Sequence, residues 1–305
     1  MLIILFDIKG DALKCKALRK KGLDILSLSW KELQICIAQP PRGMETDLAS
    51  WLSSLTFVIA TNFDLFMSTT VIMDTWAELF KESRPAGTFP TLTEWITKVE
   101  KYKGGWRITN YRDTTLMIAK FLAWSFRETL DYAQSDMLHK MLTDKEGLVR
   151  INCMGLSPVM AGFLACLFIN YAFEYRRRFG GQDCVLFVLD DAQPLLMGSH
   201  RTVTEGNLNP VTQWITLSRY LNMGMVFGVQ NLSVISPLVT GNVTNLAVFQ
   251  SFADDKRAAA QILSLSEEQA ERIDKLKKGS AIFALRELHE YPVLGFVPNL
   301  DEENE

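Results

Sequence analysis

Several things are scarce in this sequence, and each scarcity removes a class of function. Cysteine occurs five times in 305 residues. Cys15, Cys36, Cys153, Cys166 and Cys184 are scattered, with no C-x-x-C spacing, so neither a thiolate zinc site nor a redox pair is encoded. Most of them sit inside apolar runs, where a buried free thiol is the expectation. The three histidines, His139, His200 and His289, are too dispersed for a metal cluster or a nucleophile relay. There is no G-x-S-x-G elbow, no H-E-x-x-H helix and no G-x-G-x-x-G turn. A charge excess is missing too: 32 Lys+Arg against 35 Asp+Glu gives −3. That balance argues against a broadly basic nucleic-acid surface while leaving room for a local basic channel. The amino-terminal MLIILFDIKGD has no basic leader and does not read as a signal peptide, which points to the cytoplasm. The longest apolar stretch, 159–173, is shorter than the roughly 18–20 residues that cross a bilayer, and it contains Asn170. A helix apolar on all faces is otherwise a core helix.

What is present describes a folded chain. It is 48% hydrophobic and 22% charged, and its length suggests about two structural units. Eight short apolar runs, at 2–6, 23–28, 148–154, 185–189, 225–229, 246–249, 281–285 and 293–297, read as strands. They are continuous rather than alternating, as a parallel sheet covered on both faces requires. Helical patterns lie between them at 12–21, 158–178, 211–221 and 266–276, the last opening on Ser266 as an N-cap. The fold class is therefore α/β, a doubly wound, mostly parallel sheet flanked by helices. Residues 45–145 differ, being rich in Trp, Phe, Leu and Met at helical spacing, and read as a mostly helical insertion. The expected organisation is 1–44 as the start of the α/β core, 45–145 as insertion, 146–300 as the rest of the core, and 301–305 as an acidic tail.

Chemistry concentrates at CVLFVLDDAQ, residues 184–193. An apolar strand ending in two acids delivers carboxylates to the carboxyl edge of a parallel sheet, where such folds bind ligands. In nucleotide hydrolases one such acid holds magnesium and its neighbour acts on the attacking water. A strand tip can also end in Asp merely to make a turn. About 35 residues on, LSRYLNMGMVFGVQ reads as a helix running into a strand that ends on Gln230, an amide that would reach a γ-phosphate or sit there as an ordinary strand-end residue.

These features in sequence resemble the HerA/FtsK branch of P-loop ATPases, including TraG-type conjugative coupling proteins. That family has an acidic Walker B strand, an Arg-containing helix, a strand ending in Gln, a strand opened by Asn, an Ls-type hairpin and a Pro-led last strand. Here these are Asp190 and Asp191, Arg219, Gln230, 242–249, 265–284 and 291–297. FDIKGD (6–11) is similar to the family's DPKGD loop, and FPTLTEWI (89–96) to its PtL helix. The resemblance spans nearly the whole chain and implies a RecA-like core. It implies an ATP hydrolase using magnesium, acting as a homo-oligomeric, hexameric ring that moves DNA, with a membrane or secretion-complex partner. Carried over, Asp190 anchors magnesium through water, Asp191 acts on the hydrolytic water, Gln230 senses the γ-phosphate, Arg219 is the candidate arginine finger with Arg150 as another, and Asp7 and Lys9 border the nucleotide.

Two departures qualify this. The phosphate-binding G-x-x-x-x-G-K-[ST] lies before the DPKG strand in the family, and no Gly-Lys dipeptide occurs anywhere in these residues. Without that nest of N–H groups a triphosphate has almost no cradle. The family's Asp-Glu pair is here Asp-Asp, one methylene shorter. The expectation is a truncated motor domain with an opening in mid-sheet beside the acidic strand. The alternatives are a P-loop-free, non-catalytic ring subunit and an unrelated α/β magnesium enzyme. The basic runs 176–178 and 275–278 are expected as solvated faces.

Overall fold

Apolar runs of five or six residues, too short for helices, fold as strands that bury both faces only in the middle of a sheet. The computed structural model describes residues 1–12, 25–44, 47–83, 87–103, 106–197 and 210–297. Strands β1 (Leu2–Asp7), β2 (Ile25–Ser29), β3 (Gly147–Asn152), β4 (Val185–Leu189) and β5 (Met223–Phe227) form one parallel sheet in the order β2-β3-β1-β4-β5. Ile4, Phe6, Val149, Ile151 and Phe187 on the three central strands are fully buried, whereas Leu26 on β2 and Val226 on β5 are exposed. The acidic strand β4 is hydrogen-bonded to β1 on one side and β5 on the other. The mid-sheet opening expected beside it is therefore absent; among the described residues the sheet's unpaired edges are those of β2 and β5.

Between β2 and β3 stand the helices α1 (Leu48–Phe63), α2 (Thr69–Ser83), α3 (Leu92–Lys101), α4 (Trp106–Leu130) and α5 (Met137–Thr143). Their aromatic and Met stripes are packing, and they share one core with the sheet. Trp76 and Trp95 stack with centroids 4.9 Å apart, and the Trp95 indole donates to Thr75 Oγ1 at 2.9 Å. Thr91 caps α3 in a reciprocal box with Glu94, which fixes where the FPTLTEWI segment turns helical. Helix α4 kinks at Phe126, whose φ of −126° breaks the helical ladder.

Helix α6 (Pro158–Phe179), capped by Ser157 with Pro158 in its first turn, is long and apolar enough to span a bilayer, yet 83% of its most apolar window is buried inside the fold. Phe168 meets Phe6 of the sheet edge-to-face at 5.3 Å. It is a core helix. Arg176 near its end is not on a solvated face as expected. It is buried, and its Nη1 donates to the carbonyls of Leu221 and Asn222, holding the entry to β5. Its aliphatic stem lies against the core, and the guanidinium meets these carbonyls in place of water.

The last third departs from a single sheet. After α7 (Gln193–Met197), α8 (Pro210–Leu217) and β5 come α9 (Pro237–Asn242), β6 (Asn245–Val248), α10 (Ala253–Ile262), α11 (Glu267–Ala270), β7 (Ser280–Leu285) and β8 (Val293–Phe296). Strands β6-β7-β8 form a separate antiparallel sheet. The connection from β7 to β8 is too short for a parallel crossover, so it closes as a hairpin. Val248, Ala259, Leu263, Ile273 and Ile282 make this sheet's own small core. Ser266 does cap a helix, with a capping box to Gln269, but α11 ends after one turn and gives way to a 3-10 turn at Ile273–Lys275. The helix expected at 12–21 (beyond Ala12), Cys15, His200 and the tail 301–305 lie outside the described residues.

Burial pushes the thiols of Cys36, Cys153 and Cys166 up to about 12, while Cys184 is exposed. In a Cys15→Ala background, a thiol reagent at pH 8 is expected to label Cys184 within minutes. The other three should react only on the timescale of unfolding, read by mass spectrometry.

Candidate functional site

Asp190 and Asp191 follow directly on β4, and the fold brings them together with two of the residues expected beside them. Asp191 adopts φ = 61°, the left-handed conformation that Asp tolerates better than most residues. That turn reverses the chain, so Ala192 N–H reaches the Gly228 carbonyl at 2.8 Å and α7 starts one residue later. Gly228 N–H in turn donates to Leu189 O at 2.9 Å, tying the tip of β5 to the tip of β4. A Cβ at Gly228 would stand 3.1 Å from Asp190 Oδ1, so glycine keeps that carboxylate in place. Beyond it Gln230 Nε2 donates to Asp191 Oδ1 at 3.2 Å. From β1, Lys9 Nζ lies 3.6 Å from Asp190 Oδ2, each side chain about half exposed at 50% and 48%. Two carboxylates, an amide and an ammonium thus meet at the carboxyl edge of three adjacent strands.

Asp7 behaves differently from a residue facing a ligand. Its side chain is 2% exposed, and both oxygens are taken. Oδ1 accepts from Gly10 N at 2.8 Å; Oδ2 accepts from Ala12 N at 3.1 Å and from Arg150 Nε and Nη2 at 2.8 and 2.6 Å. Arg150 Nη1 also donates to Ser27 Oγ at 3.0 Å, and Cys153 N–H to Asp7 O at 2.9 Å. The pair spans β1, β2 and β3 and fixes the 7–12 turn that carries Lys9. Gly10, at φ = 74°, lets that turn pass close to Met154. Arg150 is therefore not a free guanidinium at the rim, as its candidacy for an arginine finger required. A lone Arg in the apolar run LVRIN carried a signal, because a charge on a central strand needs a buried counter-ion.

Arg219 is not brought to this cluster. It precedes β5, at the amino edge of the sheet, about 15 Å of strand away from Gln230 at roughly 3.3 Å per residue. There it pairs with Glu287 on the surface.

Among the described residues no group of three or more His, Cys, Asp or Glu is placed to hold a metal ion. Asp190 offers one half-exposed carboxylate. That set fits magnesium, which binds through one or two carboxylates with the remaining positions filled by water and phosphate oxygens, and does not fit a closed protein cage.

The order of the parallel strands, the flanking helices and the acids at the carboxyl edge define a RecA-like α/β fold. In particular, it is the fold of two proteins of known structure. VirB4 of Thermoanaerobacter pseudethanolicus superposes with a TM-score of 0.62 at 15% identity, over 97% of this chain and 81% of that one. The plasmid coupling protein TrwB in complex with ADP and Mg2+ gives 0.59 at 10% identity, over 97% and 84%. The unbound bacterial conjugative coupling protein TrwBΔN70 gives 0.56 at 11%, over 98% and 82%. At these identities the likeness is one of fold. No protein-family model and no curated protein matches the sequence.

Removing one partner of the Asp7–Arg150 pair leaves an uncompensated buried charge, which costs about 3–5 kcal/mol. Arg150→Met and Asp7→Asn are each expected to lower unfolding stability by that amount in urea melts. The double variant is expected to recover more than half of either loss.

Proposed function

We propose that this chain is the greater part of a HerA/TraG-like motor domain, which hydrolyses ATP with magnesium and drives DNA through a hexameric ring in the cytoplasm at a membrane secretion complex. The observation carrying this reading is the convergence of Asp190, Asp191, Gln230 and Lys9 on one sheet edge. The likeness of fold to TrwB, solved with ADP and Mg2+, supports it. Asp190 would orient waters around magnesium, which supplies charge neutralisation for the phosphates. Asp191 would accept a proton from the attacking water, and Gln230, bonded to Asp191, would link that carboxylate to the γ-phosphate position. Arg219 lies too far from its own acids to serve them. In a ring it would release Glu287 and face a neighbour's site, where an arginine stabilises transition-state charge.

The phosphate cradle is supplied in this reading by a strand from outside the 305 residues, and two open sheet edges support it. Backbone bonds from Val185 N to Asn222 O and from Gly228 N to Leu189 O set the phase of β5, so Met223, Met225 and Phe227 turn their N–H and C=O groups away from β4. On β6 the bond from Arg286 N to Thr244 O leaves Asn245 and Ala247 facing away from β7. The Arg219–Glu287 pair near the starts of both strands and the Ser233 N–H to Asp255 Oδ1 bond (2.8 Å) beyond their ends hold β5 and β6 alongside one another, running the same way. Neither edge carries Pro, Lys or Glu, the devices that normally block strand addition. A parallel strand entering there would end beside Gln230 and Asp190.

One observation favours a second reading, a non-catalytic ring subunit. Lys9 already stands beside Asp190, in the position a magnesium ion would need.

Titration with labelled ATP separates the two. The 305-residue protein is expected to bind weakly or not at all, and a version extended upstream to bind with magnesium. In the extended protein Asp191→Asn is expected to reduce hydrolysis at least 100-fold while retaining binding. Met225→Pro, which removes an outward N–H together with a side chain packed against the core, is expected to abolish binding there while the short chain still folds, with a lowered Tm. Failure of any upstream extension to restore binding would establish the non-catalytic reading.

A further inference from the structure

A second polar concavity lies away from the acidic cluster, where α1, α6 and α8 meet. Its volume is about 390 Å³, within the roughly 300–1,000 Å³ of small-molecule sites. Asn170, Glu174 and Arg177 come from one face of α6 at helical spacing; Ser53 and Ser54 come from α1, and Gln213 from α8. Helix α6 is otherwise buried and apolar, so packing gives no reason for an Asn and a Glu facing the same space.

The hydrogen bonds at its floor are incomplete in one sense only. Asn170 is 1% exposed; its Nδ2 donates to Ser54 Oγ at 3.2 Å, and that hydroxyl donates to Trp51 O at 3.0 Å. Asn170 Oδ1 has no partner among the described residues. Leaving such a buried acceptor unpaired is unfavourable, and a donor that reaches it recovers the loss. Glu174, also buried, accepts from Arg177 Nη2 at 2.6 Å through Oε2, and the same nitrogen reaches Ser50 Oγ. No described residue donates to its Oε1. Burial pushes this carboxyl above the usual range, opposed in part by Arg177. Arg177 is half exposed at the rim, where water screens its charge.

The floor therefore offers two acceptors to which no described residue donates, one of them on a carboxylate. A phosphate or other anion would meet the Glu174 carboxylate, and an apolar ligand would leave both acceptors unpaired. A head group with several N–H donors and a positive charge satisfies both. Phe57 and Trp214 on the walls suit a short methylene stem.

We propose that this cleft binds a small alkylammonium or alkylguanidinium ligand, its cationic head between Asn170 Oδ1 and Glu174 and its stem against Phe57. The site is independent of the nucleotide reading, sharing no residue with it.

The test is calorimetric titration of the 305-residue protein with 1,4-diaminobutane and with ethylguanidinium, using ribose and inorganic phosphate as comparators. Either cation is expected to bind, with Glu174→Gln weakening it at least tenfold. Asn170→Leu, which extends the apolar face of α6, is expected to weaken binding several-fold while leaving Tm unchanged or raised. It keeps the test intact should the Glu174 variant fold poorly. No binding of either cation up to 10 mM, unchanged affinity in the variants, or equal binding of ribose or phosphate would overturn the proposal.

Discussion

The ion pair between Asp7 and Arg150 is the constraint on which the acidic edge depends. It is buried under three parallel strands, and every hydrogen-bonding oxygen of Asp7 is engaged. A charge pair in such a place contributes little net stability compared with well-packed apolar residues. What it does is positional. It ties β1 to β3, reaches Ser27 on β2, and clamps the turn that points Lys9 at Asp190. A purely apolar replacement would hold the strands but leave the amides of Gly10 and Ala12 without acceptors, and the turn without a fixed course.

The second organising feature is the tie between the tips of β4 and β5. Glycine at 228, a left-handed Asp191 and the reciprocal backbone bonds through Gly228 bring a carboxylate and an amide from separate strands into contact. Positive φ at a non-glycine residue costs of order 1–3 kcal/mol and persists only where surrounding bonds determine it. Here those bonds come from the neighbouring strand, so the conformation at the site is a property of the sheet rather than of the local sequence.

Physical role separates residues that sequence spacing grouped together. Asp7 and Lys9 are two positions apart, yet one is an internal clamp and the other a solvent-facing charge. Arg150 and Arg219 both looked like candidates for a transition-state contact. One is consumed inside the sheet, and the other stands at the opposite edge beside Glu287. The polar cleft between α1, α6 and α8 was hinted at by Asn170 within an otherwise apolar helix, but Ser54, which its amide bonds, lies 116 residues away in the chain.

The sequence by itself determined the eight strands, the helical stretch between β2 and β3, the N-cap at Ser266, and the acidic strand tip. These follow from apolar periodicity and capping chemistry within a few residues. Tertiary structure alone decided strand order, the separation of β6, β7 and β8 into their own antiparallel sheet, and which carboxylates remain free. Strand order and ion pairing depend on groups brought together across about 40 to 180 residues. The energy of burying a charge is fixed by its partner and its depth, and neither is written in the residues beside it.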